Sequence, residues 1–213
     1  MKNIKMAALC LFGAVGSASA SSVVTGSALY QGGVFGDWTI GFTSTDPGFK
    51  LNSVNFNLAP AGLFLDTTFA APGATLPAPF VPTSGVVSTG FTSITPGTAA
   101  AQNGATAYTI NFSSFDSGDS FGYSVDVDQC SGLLNVPCSI VTGAEFAGVT
   151  MTFNFGTASD SYSKTVAFAD LLSTGNDRDA AASFRSEVPE PATWAMLGTA
   201  LAGFGILRRK RQA

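Results

Sequence analysis

The sequence predicts an all-β protein with the architecture of an antiparallel β-sandwich or jelly roll, and three observations support this prediction. Several segments alternate apolar and polar residues, as half-buried strands do. Gly, Pro, Asn and Ser separate these segments, and no strong amphipathic helix lies between them. The composition is rich in Phe (18 residues) and Gly (24 residues) and poor in charged residues (11%), which favours strands and turns over helices.

The alternation predicts about eight strands. The clearest candidates lie at 38–43, 54–58, 108–112, 123–127 and 149–155, and weaker ones at 63–68, 86–94 and 162–169. A proline-rich stretch at 72–82 is predicted to be a surface loop or a sheet edge, because proline lacks the N–H that a central strand needs. We expect another loop at 98–104 and a polar spacer at 173–187, which leaves room for a short helix over 179–184. The predicted sandwich domain is therefore 21–172.

The N-terminus has the three parts of a secretory signal peptide over residues 1–20. In chain order these are two lysines, an apolar run and a cleavage site of small residues: Lys2 and Lys5, then 6–15, then Ala18 and Ala20 before Ser21. Cleavage after the second alanine would remove the whole segment from the exported protein.

The C-terminus predicts a single transmembrane helix over residues 192–207. These sixteen residues are uncharged and mostly apolar. As a helix they span roughly 24 Å, which is short for a hydrocarbon core of about 30 Å. The basic cluster that follows should stay cytoplasmic and leave the body on the outer face of the inner membrane. Its members are Arg208, Arg209, Lys210 and Arg211.

The segment 188–213 resembles the PEP-CTERM sorting signal in its PEPxxWA form. The residues that carry the resemblance precede the apolar stretch and the basic tail: Val188, Pro189, Glu190, Pro191, Trp194 and Ala195. The resemblance implies an exosortase as processing partner, cleavage near the Pro-Glu-Pro and a transient anchor in the inner membrane. It also implies delivery to the surface of a Gram-negative cell or to an exopolysaccharide matrix. It implies nothing about the central domain.

Charge and composition exclude several classes of function. The stretch 21–187 has four basic and thirteen acidic residues, a net charge of 4 − 13 = −9, so it should repel nucleic acid. The chain has no histidine, which excludes Ser-His-Asp hydrolysis and His-ligated zinc. Glycoside hydrolysis needs only two carboxylates and stays open.

Cys130 and Cys138 are predicted to form a disulfide that closes a short loop between strands. Four aspartates form the acidic cluster of the sequence and are candidate calcium ligands: Asp116, Asp119, Asp126 and Asp128. The alternative for the last two is the solvated polar face of a strand. A glycosidase could use the same carboxylates or Glu145, although nothing in the sequence sets their separation.

Trp38 and Phe91 could stack on sugar rings, although aromatic residues at alternating positions are more often core. Three functions therefore stay open for the body. The one we favour is a non-catalytic surface or matrix protein that needs no cofactor. The others are a carbohydrate-binding module and a carboxylate-based hydrolase.

We predict that Ser21 is the N-terminal residue of the exported protein, because the small residues at the end of the apolar run form a signal-peptidase site. Intact-mass measurement and N-terminal sequencing of the exported chain would test this. A chain that still carries residues 1–20 after export would contradict the signal-peptide interpretation.

Overall fold

The computed structural model describes residues 21–32, 36–68, 77–129, 139–141, 143–171 and 179–189. In these residues two large antiparallel sheets form the body of the fold. The first has six strands in the spatial order β13 (Ala169–Asp170), β14 (Ala180–Pro189), β1 (Ser21–Gln31), β2 (Asp37–Ser44), β8 (Ser120–Ser124) and β5 (Val81–Ser84). The second has five strands in the order β12 (Ser161–Ala167), β11 (Thr150–Gly156), β3 (Lys50–Asn57), β7 (Ala107–Phe115) and β6 (Phe91–Thr95).

A third, smaller sheet and three short helical segments complete the described structure. The small sheet has the order β10 (Ser139–Ile140), β9 (Val127–Gln129) and β4 (Leu63–Leu65). One turn of α-helix, α1, covers Ala99–Gln102, and two 3₁₀ segments cover Ala59–Ala61 and Gly143–Phe146.

Strands β2 and β3 lie inside their sheets and set the register of the core. β2 pairs with β1 on one side and β8 on the other, so that Trp38 lies opposite Tyr30 and Tyr123. β3 pairs with β11 and β7, and Phe56 lies opposite Tyr108 of β7. All five side chains are buried, because residues directly opposite each other in a ladder project from the same face.

Aromatic rings fill the space between the two large sheets. The ring centroid of Trp38 lies 5.2 Å from that of Phe56 in the opposite sheet. Nearer the other edge, Phe184 of β14 lies 5.0 Å from Phe153 of β11. Aromatic pairs at such distances stabilise a core beyond the area that they bury. These contacts across the two sheets confirm an all-β, sandwich-like fold.

Two tyrosine hydroxyl groups inside this core form a hydrogen bond with each other. The hydroxyl oxygens of Tyr108 and Tyr123 lie 2.9 Å apart. Burial raises the pKa of both phenols, because a buried phenolate would lose its hydration. Both groups therefore stay protonated. Their mutual hydrogen bond gives each buried hydroxyl group the polar partner that it needs in an apolar core.

Most of the predicted strand segments are strands. Segments 38–43, 54–58, 108–112, 149–155 and 162–169 lie within or largely overlap β2, β3, β7, β11 and β12. The weaker segment 63–68 is a strand only in β4, and 86–94 is a strand only from Phe91 onward. The last proline of the stretch 72–82, Pro82, is at a sheet edge as predicted, since β5 is the last strand of its sheet and its register shifts between Pro82 and Ser84. Residues 72–76 of this stretch lie outside the described residues.

The predicted strand 123–127 is not a single strand. β8 ends at Ser124 in the six-stranded sheet, and β9 begins at Val127 in the small sheet. Because the chain passes from one sheet to another between them, both faces of this stretch are covered by protein, and Val125 and Asp126 are buried.

The predicted spacer at 173–187, with its short helix over 179–184, is wrong from Ala180 onward. Residues Ala180–Pro189 form β14, which lies between β13 and β1, and Ser22–Val188 form one compact unit. The sequence signal is weak because two of the buried residues on its inner face, Ala180 and Ala182, are alanines. An alanine-rich segment has high helix propensity, and the sheet overrides it.

β1 was not among the predicted strands for the same reason. Its buried residues include Ser22, Gly26 and Ala28, which give little hydrophobic alternation. The predicted loop 98–104 also contains a structured turn, α1, whose N-terminus is capped by Thr98 accepting a hydrogen bond from the Ala101 N–H at 3.2 Å.

The signal peptide, the disulfide between Cys130 and Cys138 and the transmembrane helix at 192–207 lie outside the described residues and stay predictions. Across the part of the chain that the structure describes, no helix has the length and apolar character needed to cross a membrane.

We predict that Gly26→Ala destabilises the protein by about 1–3 kcal/mol, the usual effect of overpacking a core. A Cβ at this position would clash with the Phe184 ring and lie 2.9 Å from the Phe153 ring. Gly97→Ala is the control, because its Cβ would meet only the Ile94 carbonyl oxygen, at 3.7 Å. Urea denaturation would measure both, and equal stability of the two variants would contradict the packing of the Phe184 and Phe153 rings on Gly26.

Candidate metal centre

Three aspartates meet where the small sheet continues beyond its last paired residues. β4 and β9 pair with Phe64 opposite Asp128 and Leu65 opposite Val127. The Asp66 N–H then donates to the Asp126 carbonyl oxygen at 3.1 Å, which extends the ladder by one pair. Since side chains along a strand alternate between faces, Asp126, Asp128 and Asp66 all project to the same side.

The three carboxylates form a close and buried group. The ligand oxygens that they offer all lie within 4.8 Å of one another. The exposed fraction is 5% for Asp66, 5% for Asp126 and 1% for Asp128. Carboxylates are seldom buried this completely unless they are paired with a cation or hydrogen-bonded.

Backbone hydrogen bonds hold the residues that carry these carboxylates. Ala78 bridges two of them, donating to the Asp66 carbonyl at 3.2 Å and accepting from the Asp126 N–H at 3.1 Å. The side-chain oxygen of Asn103 accepts from the N–H groups of Thr67 and Thr68, each at 3.1 Å. Direct contacts therefore hold residues 67–68, which follow Asp66, and Ala78, which bonds to Asp66 and Asp126.

Burial and mutual repulsion shift the protonation of the cluster. Desolvation by burial raises the pKa of Asp126 to about 7, and the charges of Asp128 and Asp66 add to this rise. Burial also raises the pKa of Asp66, against the opposing effect of hydrogen bonds from the Asp128 side chain and the Thr68 backbone. A hydrogen bond between two carboxyl groups requires a proton on one of them. Burial therefore shifts the carboxyl groups of Asp66 and Asp126 toward their protonated forms.

Two of the three aspartates lack a basic partner among the described residues. Among the described residues, no lysine or arginine forms an ion pair with Asp66 or Asp126. One oxygen of Asp126, Oδ2, is fully buried and makes no hydrogen bond to the described residues. Two like charges at 4.8 Å repel each other by about 3.5 kcal/mol at an effective dielectric constant of about 20. A divalent cation bound among the three carboxylates would turn this repulsion into attraction.

The four aspartates predicted as a cluster divide into two places. Asp116 and Asp119 lie in the turn between β7 and β8, where the Asp116 N–H donates to Asp119 Oδ2 at 3.0 Å. Asp116 also forms an ion pair with Lys50 at 2.8 Å, and both side chains are about half exposed. The structure does not bring this turn into the buried aspartate group.

The alternative interpretation of Asp126 and Asp128, a solvated strand face, is wrong because both are buried. Asp66 was missed by the sequence reasoning. The signal that could have indicated it is its position: Asp66 directly follows the apolar pair Leu63 and Leu65, inside the weaker predicted strand 63–68.

The other candidate residues are elsewhere. Trp38 is only 1% exposed and lies in the core, so its ring does not offer a surface for sugar stacking. Phe91 is half-buried and stacks on Phe80 and Phe121, at 5.7 and 5.2 Å between centroids. Glu145 lies in the 3₁₀ segment Gly143–Phe146 and is not part of the aspartate group.

The C-terminal motif begins where the sheet ends. Val188, its first residue, is 3% exposed in β14, and Pro189 is the last residue of that strand. A family model described as the PEP-CTERM protein-sorting motif matches residues 187–211. The chain carries a PEP-CTERM sorting motif. No family model matches the body, and comparison with curated proteins and with solved structures gives no match.

The PEP-CTERM match includes the residues that the sequence analysis singled out. The described structure reaches only the first two of them, Val188 and Pro189. Glu190, Pro191, Trp194, Ala195 and the basic tail Arg208, Arg209, Lys210 and Arg211 lie outside the described residues. The match supports an exported protein that associates with the membrane and is sorted by an exosortase.

We predict that, in the presence of a chelator, the protein is less stable at about pH 8 than at about pH 5. The pKa of Asp126 is about 7 in the folded chain and 3.8 in its ordinary state, so the folded chain binds more protons between these values. The resulting stabilisation is complete below the lower value and is lost as pH rises through the higher one.

The measurement is urea denaturation of the wild type and of Asp126→Asn at both pH values. The asparagine variant cannot ionise and should show a clearly smaller pH dependence. An unchanged pH dependence in this variant would show that other groups, such as the remaining acidic residues of the body, cause the effect.

Proposed function

We propose that this protein is a non-catalytic component of the cell surface or extracellular matrix, sorted there by an exosortase. The observation that carries the proposal is the PEP-CTERM match at 187–211. In the proposed route, a signal peptide leads export and the C-terminal helix holds the chain transiently in the inner membrane. The sandwich then lies in the periplasm until the motif is processed.

Two features of the body support a non-catalytic role. The chain has no histidine, the usual general base near neutral pH. The carboxylates of Asp66, Asp126 and Asp128 are buried, and Trp38 belongs to the core. Neither the carboxylates nor the indole ring is therefore accessible to a polysaccharide. A structural or adhesive role needs only a stable exported fold, which the sandwich provides.

The structure adds a constraint on the site of processing. The side chains of Phe184 and Val188 are 6% and 3% exposed, and β14 lies between two other strands of its sheet. Cleavage before Val188 would remove part of this strand and expose the core residues that it covers. We therefore expect the mature chain to retain residues through Val188, with processing at or beyond Pro189.

We predict that replacing Pro189, Glu190 and Pro191 by alanine blocks processing, because the apolar stretch and basic tail would remain but the recognised motif would not. Uncleaved protein should accumulate in the inner membrane, and the surface fraction should fall. Cell fractionation with intact-mass analysis of each fraction would measure both effects.

Neutral residues in place of Arg208–Arg211 provide the contrasting variant. This change removes the topogenic charges but keeps the motif, so unprocessed chain should escape to the periplasm instead of accumulating in the membrane. Thermal unfolding of each variant would check that the body is intact. Normal processing and display of the triple-alanine variant would refute the sorting proposal.

A further inference from the structure

We propose that Asp66, Asp126 and Asp128 form a calcium-binding site in the body of the protein. This inference is independent of the proposed sorting function, since it rests on residues far along the chain from the motif at 187–211. It also differs from the calcium ligands expected from the sequence, because Asp66 replaces Asp116 and Asp119, which lie in the turn between β7 and β8.

The separation of the carboxylate oxygens fits one calcium ion. Calcium binds oxygen at about 2.3–2.6 Å, so two oxygens on opposite sides of one ion lie up to about 4.6–5.2 Å apart. The oxygens offered by the three aspartates lie within 4.8 Å of one another. Three carboxylates bound in mono- or bidentate fashion supply three to six oxygens, and calcium accepts six to eight. Magnesium requires near-octahedral geometry at about 2.0–2.1 Å and retains several waters, which suits a buried group less well.

A second observation points to a ligand. Asp126 is 5% exposed, and its Oδ2 has no hydrogen-bond partner among the described residues. Its carboxylate is hydrogen-bonded by the Val127 backbone and lies within reach of both other carboxylates. Native proteins rarely leave a buried carboxylate oxygen without a partner, and a bound cation is one of the partners that satisfies it.

Backbone hydrogen bonds hold the segments that carry the three aspartates. The ladder between β4 and β9 sets the spacing of the strands, and the Asp66 N–H bond to the Asp126 carbonyl extends it. Ala78 ties both residues to a third segment. Ligands held by direct backbone contacts lose little conformational freedom on binding, which favours affinity.

The alternative explanation is that protons alone neutralise the three carboxylates. Both explanations predict a stable cluster, but only calcium binding predicts a stoichiometric response to the ion. The two are separated by measuring calcium binding and thermal stability on the same protein.

The experiment uses the full-length chain, purified in detergent and freed of metal by chelation. Isothermal titration should show one calcium ion per chain. The Tm should rise by about 5–10 °C when free calcium reaches one hundred times Kd. Magnesium at the same concentration should give a clearly smaller rise.

The decisive variants are Asp66→Asn and Asp126→Asn, with Asp119→Asn as the matched control in the exposed turn. The first two should weaken calcium binding at least tenfold and remove the calcium-dependent rise in Tm. In chelator, each should be at least as stable as the wild type, because one of the repelling charges is gone. That combination separates loss of a ligand from loss of the fold. The control should bind calcium like the wild type.

Several results would overturn the proposal. One is the absence of calcium binding by the wild type at millimolar concentration, which would leave protonation as the explanation. Another is unchanged binding in Asp126→Asn together with loss in Asp119→Asn, which would place the ion in the exposed turn. Equal responses to calcium and magnesium would overturn the assignment to calcium. If the asparagine variants do not fold, the calcium titration of the wild type alone decides between calcium binding and protonation.

Discussion

The packing of aromatic rings between the two large sheets is the interaction on which the other features of this protein depend. Trp38, near the middle of this layer, contacts rings from both sheets, including Phe56 and Tyr123. The body has few charged residues and few leucines, so these rings supply much of the buried apolar area. Their size leaves no room for side chains at some facing positions, which is why β1 has Gly26 beneath Phe184. The glycine at position 26 of β1 is thus a consequence of the Phe184 and Phe153 rings that face it.

The same interior contains three carboxylates, and the path of the chain explains how. A continuous strand over 123–127 would have placed Asp126 on one solvated face. The chain instead leaves the six-stranded sheet after Ser124 and enters the small sheet at Val127. This crossing puts Asp126 and Asp128 beside the end of β4, where Asp66 follows. Carboxylates are seldom buried so completely unless they are paired with a cation or hydrogen-bonded.

The part of this structure that could be predicted from the sequence is the part in which alternation is strong. β2, β3, β7 and β11 alternate large apolar residues with polar ones, and all were predicted. β1 and β14 bury alanine, glycine and serine, which give almost no local signal, and the rings that pack on Gly26 come from distant parts of the chain. The full aspartate group could not be predicted from the sequence for a related reason. Asp126 and Asp128 are neighbours in sequence, but Asp66 joins them only through the register of β4 and β9, which no local pattern encodes.

The position of β14 connects the fold of the body to the presentation of the PEP-CTERM motif. Its neighbours in the sheet are β13 and β1, so the six-stranded sheet is complete only when the first and last described strands have met. Gly32 just after β1 donates to Asp179 just before β14, and Gly26 faces Phe184, which fits an antiparallel pairing of the two ends. Because β14 runs into Pro189, a folded body leaves no flexible spacer before the motif. The first residue of the motif, Val188, is therefore held in the core of the folded body.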